Sequence, residues 1–213
     1  MFHSLIKEYH FHTYNIGIIP LPSLSDEILN LLTIEEKKWV NSFHLPKRKQ
    51  EILGEIALKN HFFSSKDKIV HTNDGTPFIS KSKKQISISH SHEYVIMAIA
   101  DFPIGIDLEK ISTKVVRINT KFINEEEFER FDSSDAKTAT QIWTIKEAIY
   151  KAARQKGIDF RSDINIKVLG ELSLAEVRIK NQWFTIEIHT FVIDDYVISV
   201  NTKDFVQKPN ENI

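Results

Sequence analysis

Between residues 26 and 63 apolar side chains return every three or four positions, the spacing of a helix with one buried face, and Pro46 divides the run. The pattern predicts two helices, the first opened by Ser25 as N-cap. The period then changes. Residues 68–72 and 78–80 read as short strands around the turn Asn73-Asp74-Gly75-Thr76-Pro77. Residues 85–90 alternate isoleucine with serine, a strand with one buried face, and residues 94–100 form a more apolar strand. These two join in a hairpin near Ser91-His92-Glu93.

After Pro103 the pattern begins again. A short strand over 105–109, a helical stretch over 125–131 and a strong helix over 136–153 precede strands near 165–169, 175–180, 183–190 and 196–201. The closing strands of the two halves, Tyr94-Val95-Ile96-Met97-Ala98-Ile99 and Tyr196-Val197-Ile198-Ser199-Val200, read alike, and each half carries a long helix before its closing strand. This faint echo points to two similar α/β lobes, residues 1–103 and 104–213. The polar stretch over 207–213 reads as a frayed tail.

Composition narrows the picture. With 213 residues and 41% hydrophobic content the chain has enough apolar material for one large domain or two small lobes. It has no cysteine, so a metal must be held by carboxylates or histidines, and a reducing, cytoplasmic location is expected. No apolar run approaches the roughly 20 residues of a membrane span. A net charge of −1 argues against a nucleic-acid partner. The basic clusters Lys47-Arg48-Lys49 and Lys81, Lys83, Lys84, and the four glutamates within 124–129, read first as solvated faces.

Three stretches carry chemistry. In Ile104-Gly105-Ile106-Asp107-Leu108-Glu109 an extended backbone projects Asp107 and Glu109 to one side while Ile106 and Leu108 enter the core. Two neighbouring carboxylates beside a buried strand are costly without a cation between them, and Mg²⁺ suits such oxygen ligands; a strand end entering solvent is the commoner meaning of an isolated D-x-E. In the run 142–151 helical spacing puts Trp143, Glu147 and Lys151 in one stripe, beside an apolar face of Ile142, Ile145, Ile149 and Ala152. Glu147 and Lys151 are then either an exposed ion pair or an acid and a cation set side by side for breaking a phosphoanhydride. The third stretch is Ile86-Ser87-Ile88-Ser89-His90-Ser91-His92, where His90 is placed to donate to a phosphate. A zinc site on His90 and His92 lacks a third ligand.

The order of these stretches resembles the larger, two-lobe monomeric 4'-phosphopantetheinyl transferases, often called Sfp-type. The matching residues are Ser87-Ile88-Ser89-His90-Ser91, then Gly105-Ile106-Asp107-Leu108-Glu109, then Trp143-Thr144-Ile145-Lys146-Glu147-Ala148 with Lys151 one turn on. The resemblance implies an α+β fold of two similar α/β lobes in pseudo-twofold arrangement, each a small, mainly antiparallel sheet packed with a long helix. It implies transfer of the 4'-phosphopantetheine arm of coenzyme A to a serine of an apo acyl or peptidyl carrier protein, with release of 3',5'-adenosine bisphosphate. Asp107, Glu109 and Glu147 would hold Mg²⁺ on the coenzyme A pyrophosphate, Glu147 would serve as general base and Lys151 would stabilise the leaving phosphate. His90, Ser89, Arg48 and Lys146 would contact coenzyme A, and the carrier would dock around residues 113–131.

The chain departs from that pattern at two places. Family members usually carry a lysine or arginine in the turn that here reads Gly75-Thr76-Pro77, and basic residues on the amino-terminal helix that here reads Gly54-Glu55, leaving Arg48, Lys49 and Lys59 as substitutes. A relative that binds a carrier protein or pantetheine compound without transfer is therefore the second reading, and a metal-dependent phosphohydrolase the third.

Overall fold

The computed structural model describes residues 2–209. Two six-stranded arrangements of antiparallel β-strands form the two lobes. The first contains β1 (Lys7–His10), β2 (Tyr14–Pro20), β3 (Ile69–His71), β4 (Pro77–Ile79), β5 (Gln85–Ser91) and β6 (Tyr94–Ala100), in the order β1-β2-β6-β5-β4-β3. Between β2 and β3 run α1 (Asp26–Asn30), α2 (Ile34–Asn41) and α3 (Pro46–Phe62). In the second lobe β7 (Ile106–Lys110) leads through α4 (Thr113–Val116) and α5 (Glu125–Arg130) to the long α6 (Ala136–Ala153). Strands β8 (Ile164–Val168), β9 (Leu172–Ile179), β10 (Gln182–Ile193), β11 (Tyr196–Asn201) and β12 (Val206–Gln207) complete it, ordered β7-β11-β10-β9-β8 with β12 on β10.

Each sheet carries one long helix. Helix α3 lies over β2 and β6, where Ala57 and Leu58 join Ile19, Ile86, Val95 and Met97. Helix α6 presents the predicted stripe Ile142, Ile145, Ile149 and Ala152 to Ile164, Ile166, Val177, Ile186 and Ile188. The lobes then share a third core: Ile16, Ile18, Ile96 and Ala98 of the first sheet pack on Ile106, Leu108, Ile198 and Val200 of the second. Burying apolar surface at the seam fixes how β5 and β7 face each other, and that juxtaposition builds the site.

Three elements differ from the sequence pattern. The predicted first helix is two, because Thr33 and Glu36 form a reciprocal capping box that starts α2 afresh. The hairpin β1–β2 carries no alternation because β2 is covered on both faces, by α3 and by the lobe seam; a Cβ on Gly17 would stand 2.4 Å from the Phe62 ring. The tail is also partly ordered: Phe184 pairs with Gln207 and the Lys208 amide donates to the Trp183 carbonyl at 2.9 Å. Residues 210–213 of the predicted tail lie outside the described residues. No helix among the described residues is long and apolar enough to cross a membrane.

Candidate active site

The site starts from a glycine. A Cβ at Gly105 would lie 2.0 Å from the Ala148 carbonyl oxygen and 2.5 Å from the Ala152 amide, so only glycine lets the approach to β7 touch the backbone of α6. That contact brings Asp107 and Glu109 of β7 beside Glu147 and Lys151 of α6. The strand interior is buried at Ile106 and Leu108 as the alternation requires.

Strand β5 crosses from the other lobe with Ser87, Ser89 and Ser91 on one face. Their hydroxyls form a ladder onto β7: Ser87 Oγ accepts from the Ile106 amide at 3.0 Å, Ser89 Oγ donates to Asp107 Oδ1 at 2.8 Å and Ser91 Oγ donates to Glu109 Oε2 at 2.8 Å. Lys151 Nζ donates to the same Asp107 Oδ1 at 2.8 Å and to the Ile106 carbonyl at 3.0 Å. The second Asp107 oxygen, Oδ2, is buried without a hydrogen-bond partner.

The three acids feel one another. Burial pushes the Glu147 carboxyl up to about 7, and Asp107 and Glu109 push it the same way against the opposing charge of Lys151. Glu109 is raised by burial and by Asp107, with smaller opposing contributions from Ser91, Lys151 and Trp143. Among the described residues no group of three or more ligating side chains stands ready-made around a metal position. Lys151 and two serines take lone pairs of Asp107 and Glu109 instead. The donor set nonetheless fits a hard divalent cation, because a buried carboxylate oxygen lacks a partner and the mutual repulsion of the acids is what a cation relieves.

His90 points to the opposite face of β5 from Ser89. Arg48 Nη1 donates to its Nε2 at 2.9 Å, so this nitrogen accepts and the imidazole is neutral with its proton on Nδ1. Burial lowers the His90 pKa, with Arg48 and Lys151 adding to the effect and Glu51 opposing it. Arg48 is itself shared between Glu51 at 3.0 Å and Glu55 at 3.5 Å. Glu55 is raised to about 7, by burial first and by Glu51, against Arg48.

Two basic residues expected at the nucleotide are not there. Lys146 is fully buried on the far side of α6, its Nζ facing Glu127 Oε2 at 2.6 Å and the carbonyls of Phe122, Phe160 and Ile164 at 2.7, 2.8 and 3.0 Å. Four acceptors already exceed its three N–H bonds, so Lys146 ties α5, α6 and β8 together and has no N–H left over for a ligand. Its partner Glu127, one of the glutamates expected on a solvated face, is also fully buried. Lys59, a suggested substitute cation, is buried as well and donates to Glu36 at 3.1 Å.

Beside the acids, between the β3–β4 turn and the end of α6, lies a cavity of about 190 Å³. Thr76, Ser87, Ile88, Tyr150, Lys151 and Arg154 are among its walls. The sequence pattern alone does not mark Ser87 or Arg154 as site residues, whereas Ser91, like Ser89, is placed by it to bind nearby groups. The period-two serines were visible in it, but their partners on β7 lie 18 or 19 positions away.

Fold and site together define a two-lobed α+β protein with an acidic cluster, one lysine and a cavity at the lobe seam. Residues 103–201 match the family model of the 4'-phosphopantetheinyl transferase superfamily. The 4'-phosphopantetheinyl transferase gsp of Aneurinibacillus migulanus is 27% identical over 133 residues, covering 58% of this chain and 56% of its own. The 4'-phosphopantetheinyl transferase psf-1 of Bacillus pumilus is 24% identical over 191 residues, covering 84% of this chain and 82% of its own. A 4'-phosphopantetheinyl transferase of Bacillus subtilis is 28% identical over 108 residues, covering 47% of this chain and 48% of its own. The chain thus spans about half the length of two of these relatives and most of the third. Across residues 103–201 the chain is thus similar to the 4'-phosphopantetheinyl transferase superfamily.

Proposed function

We propose that the protein transfers the 4'-phosphopantetheine arm of coenzyme A to a serine hydroxyl of an apo acyl or peptidyl carrier protein, with Mg²⁺ as its ion. The observation that carries this reading is the electrostatic coupling of Glu147 to Asp107 and Glu109, each on a rigid element, with Lys151 bonded to Asp107 at the lobe seam. Asp107 and Glu109, with Glu147, would hold the cation, and Mg²⁺ when bound supplies positive charge at the pyrophosphate oxygens.

The protein's own groups do the rest. Glu147 takes the proton of the carrier serine, directly or through one water. The serine oxygen forms a bond to the phosphorus bearing the pantetheine arm as the anhydride P–O bond breaks. The electron pair leaves on 3',5'-adenosine bisphosphate. Lys151 is partly exposed, and its flexible stem carries Nζ from Asp107 to the departing phosphate oxygen, where it balances the new charge. His90, neutral and bonded to Arg48, offers its Nδ1 proton to a phosphate.

The carrier would dock over α4 and α5, where Ile118 and Phe128 are exposed among Lys114, Arg117 and Lys121. The absence of cysteine favours a cytoplasmic setting, and two lobes in one chain favour a monomer. The test is incubation with coenzyme A, Mg²⁺ and an apo carrier protein, read by intact mass. The carrier is expected to gain the arm, and Glu147→Gln to abolish the gain. Release of adenosine bisphosphate with an unmodified carrier would replace this reading with hydrolysis; an unmodified carrier and intact coenzyme A would leave a binding protein.

A further inference from the structure

At the end of α6 the backbone of Arg154 takes φ +50° and ψ +32°, the left-handed conformation that favours glycine at a helix C-terminus. An arginine kept there carries a backbone cost, which directs attention to its side chain. One guanidinium nitrogen, Nη1, donates to Gln85 Oε1 of β5 at 2.6 Å, and this bond pins the group across the lobe seam. The other two, Nε and Nη2, are buried and have no hydrogen-bond partner. They form the side-on edge of the guanidinium, the fork that matches two oxygens of one phosphoryl or carboxylate group.

The surroundings specify an anion. Arg154 lines the 190 Å³ cavity together with Lys151 and Lys156, and Asp74 is its one acidic wall residue. Next to Arg154 the Gln155 side chain also lines the cavity, and its Oε1 is buried without a partner. The opposite wall, Asp74-Gly75-Thr76-Pro77, brings no cation of its own. Burial lowers the Arg154 pKa, partly offset by Asp74 and Asp204, so desolvated guanidinium charge is available to a ligand. Lys151 joins this cavity to the acidic cluster through its bond to Asp107.

We propose that the Nε and Nη2 edge of Arg154 is a phosphoryl-binding group, holding one phosphate of the nucleotide substrate in the cavity beside Lys151. The inference rests on the coenzyme A reading above and assigns to it a residue outside the acidic cluster. Coenzyme A offers two sources of that chemistry, its 3'-phosphate and its pyrophosphate.

Calorimetric titration of the full chain in Mg²⁺ with coenzyme A and with 3'-dephospho-coenzyme A separates them. The first variant is Arg154→Gly, which removes the guanidinium while giving the left-handed position the residue it favours, so its thermal melt should stay within a few degrees of wild type. Coenzyme A affinity is expected to fall by about tenfold to a hundredfold, the range for a charge-assisted pair of hydrogen bonds. If 3'-dephospho-coenzyme A is unaffected, the edge holds the 3'-phosphate; if both weaken alike, it holds the pyrophosphate. Arg154→Lys keeps the charge without the fork, and a several-fold loss is expected. It also decides the matter should the glycine variant not fold. Wild-type affinity for coenzyme A in a folded variant overturns the assignment alone, leaving an edge that meets only water. A wild-type protein that binds neither nucleotide overturns both the assignment and the coenzyme A reading.

Discussion

Glu147 makes the protein less stable than it need be, and the amount depends on pH in a known direction. Its carboxyl titrates near 7 in the folded chain against 4.5 for an ordinary glutamate, chiefly through burial and then through Asp107. Below about pH 4 the group is protonated in both folded and unfolded chains and contributes nothing. As pH rises from 4.5 the unfolded chain releases its proton first, so the unfolded state gains, and the full penalty stands above pH 7. At 1.36 kcal/mol per pKa unit a shift of this size corresponds to about 3 kcal/mol, or about 2 kcal/mol after allowing for the part of Glu147 that solvent screens. Glu147→Gln removes the ionisable group while keeping its shape. Melts of the metal-free protein should therefore coincide for wild type and variant at pH 4. At pH 8 the variant should melt about 4–8 °C higher. Glu55, also raised to about 7, is present in both proteins and cancels from the difference. A gap of equal size at the two pH values, or a variant less stable at pH 8, would refute the picture of a carboxylate crowded by its neighbours. Because the measurement uses no substrate, it tests the geometry of the acids apart from any activity.

Two further substitutions probe the frame around the acids. Gly105→Ala puts a methyl 2.0 Å from the Ala148 carbonyl oxygen, backbone that cannot swing aside. It should cost about 3 kcal/mol by urea denaturation and lower kcat/KM by about a hundredfold as β7 backs away from α6; wild-type values for both would show that the close approach is dispensable. Lys146→Met strands Glu127 in the core and should destabilise by about 3–5 kcal/mol, with part of the loss recovered in the double variant with Glu127→Gln. The KM for coenzyme A of the folded fraction should stay at the wild-type value, and a large rise would return Lys146 to the nucleotide site.

What the sequence disclosed follows the range over which each pattern acts. The carboxylates of β7 and the Trp143, Glu147, Lys151 stripe of α6 were legible because local periodicity sets which residues share a face. Helical arithmetic also marks Lys146, which stands four positions after Ile142 and three before Ile149, on the buried face of the helix. Its partner Glu127 gives no such signal, because it sits within a run of glutamates. The separation of Ser89 from His90 was likewise available from the alternation of β5, since adjacent residues on a strand face opposite ways. The ladder from Ser87, Ser89 and Ser91 to β7 was not available, because it depends on how the two sheets meet at the seam.

That ladder fixes the acidic cluster in place. Two of its acids each receive one serine hydroxyl from the other lobe, and Asp107 also receives Lys151. These bonds hold Asp107 and Glu109 at fixed distance from α6. Glu147 receives no such bond among the described residues, and the unfavourable charge falls on it and on Glu109. The protein thus anchors two carboxylates through the lobe seam and leaves Glu147, raised to about 7 by burial and by its neighbours, without such an anchor.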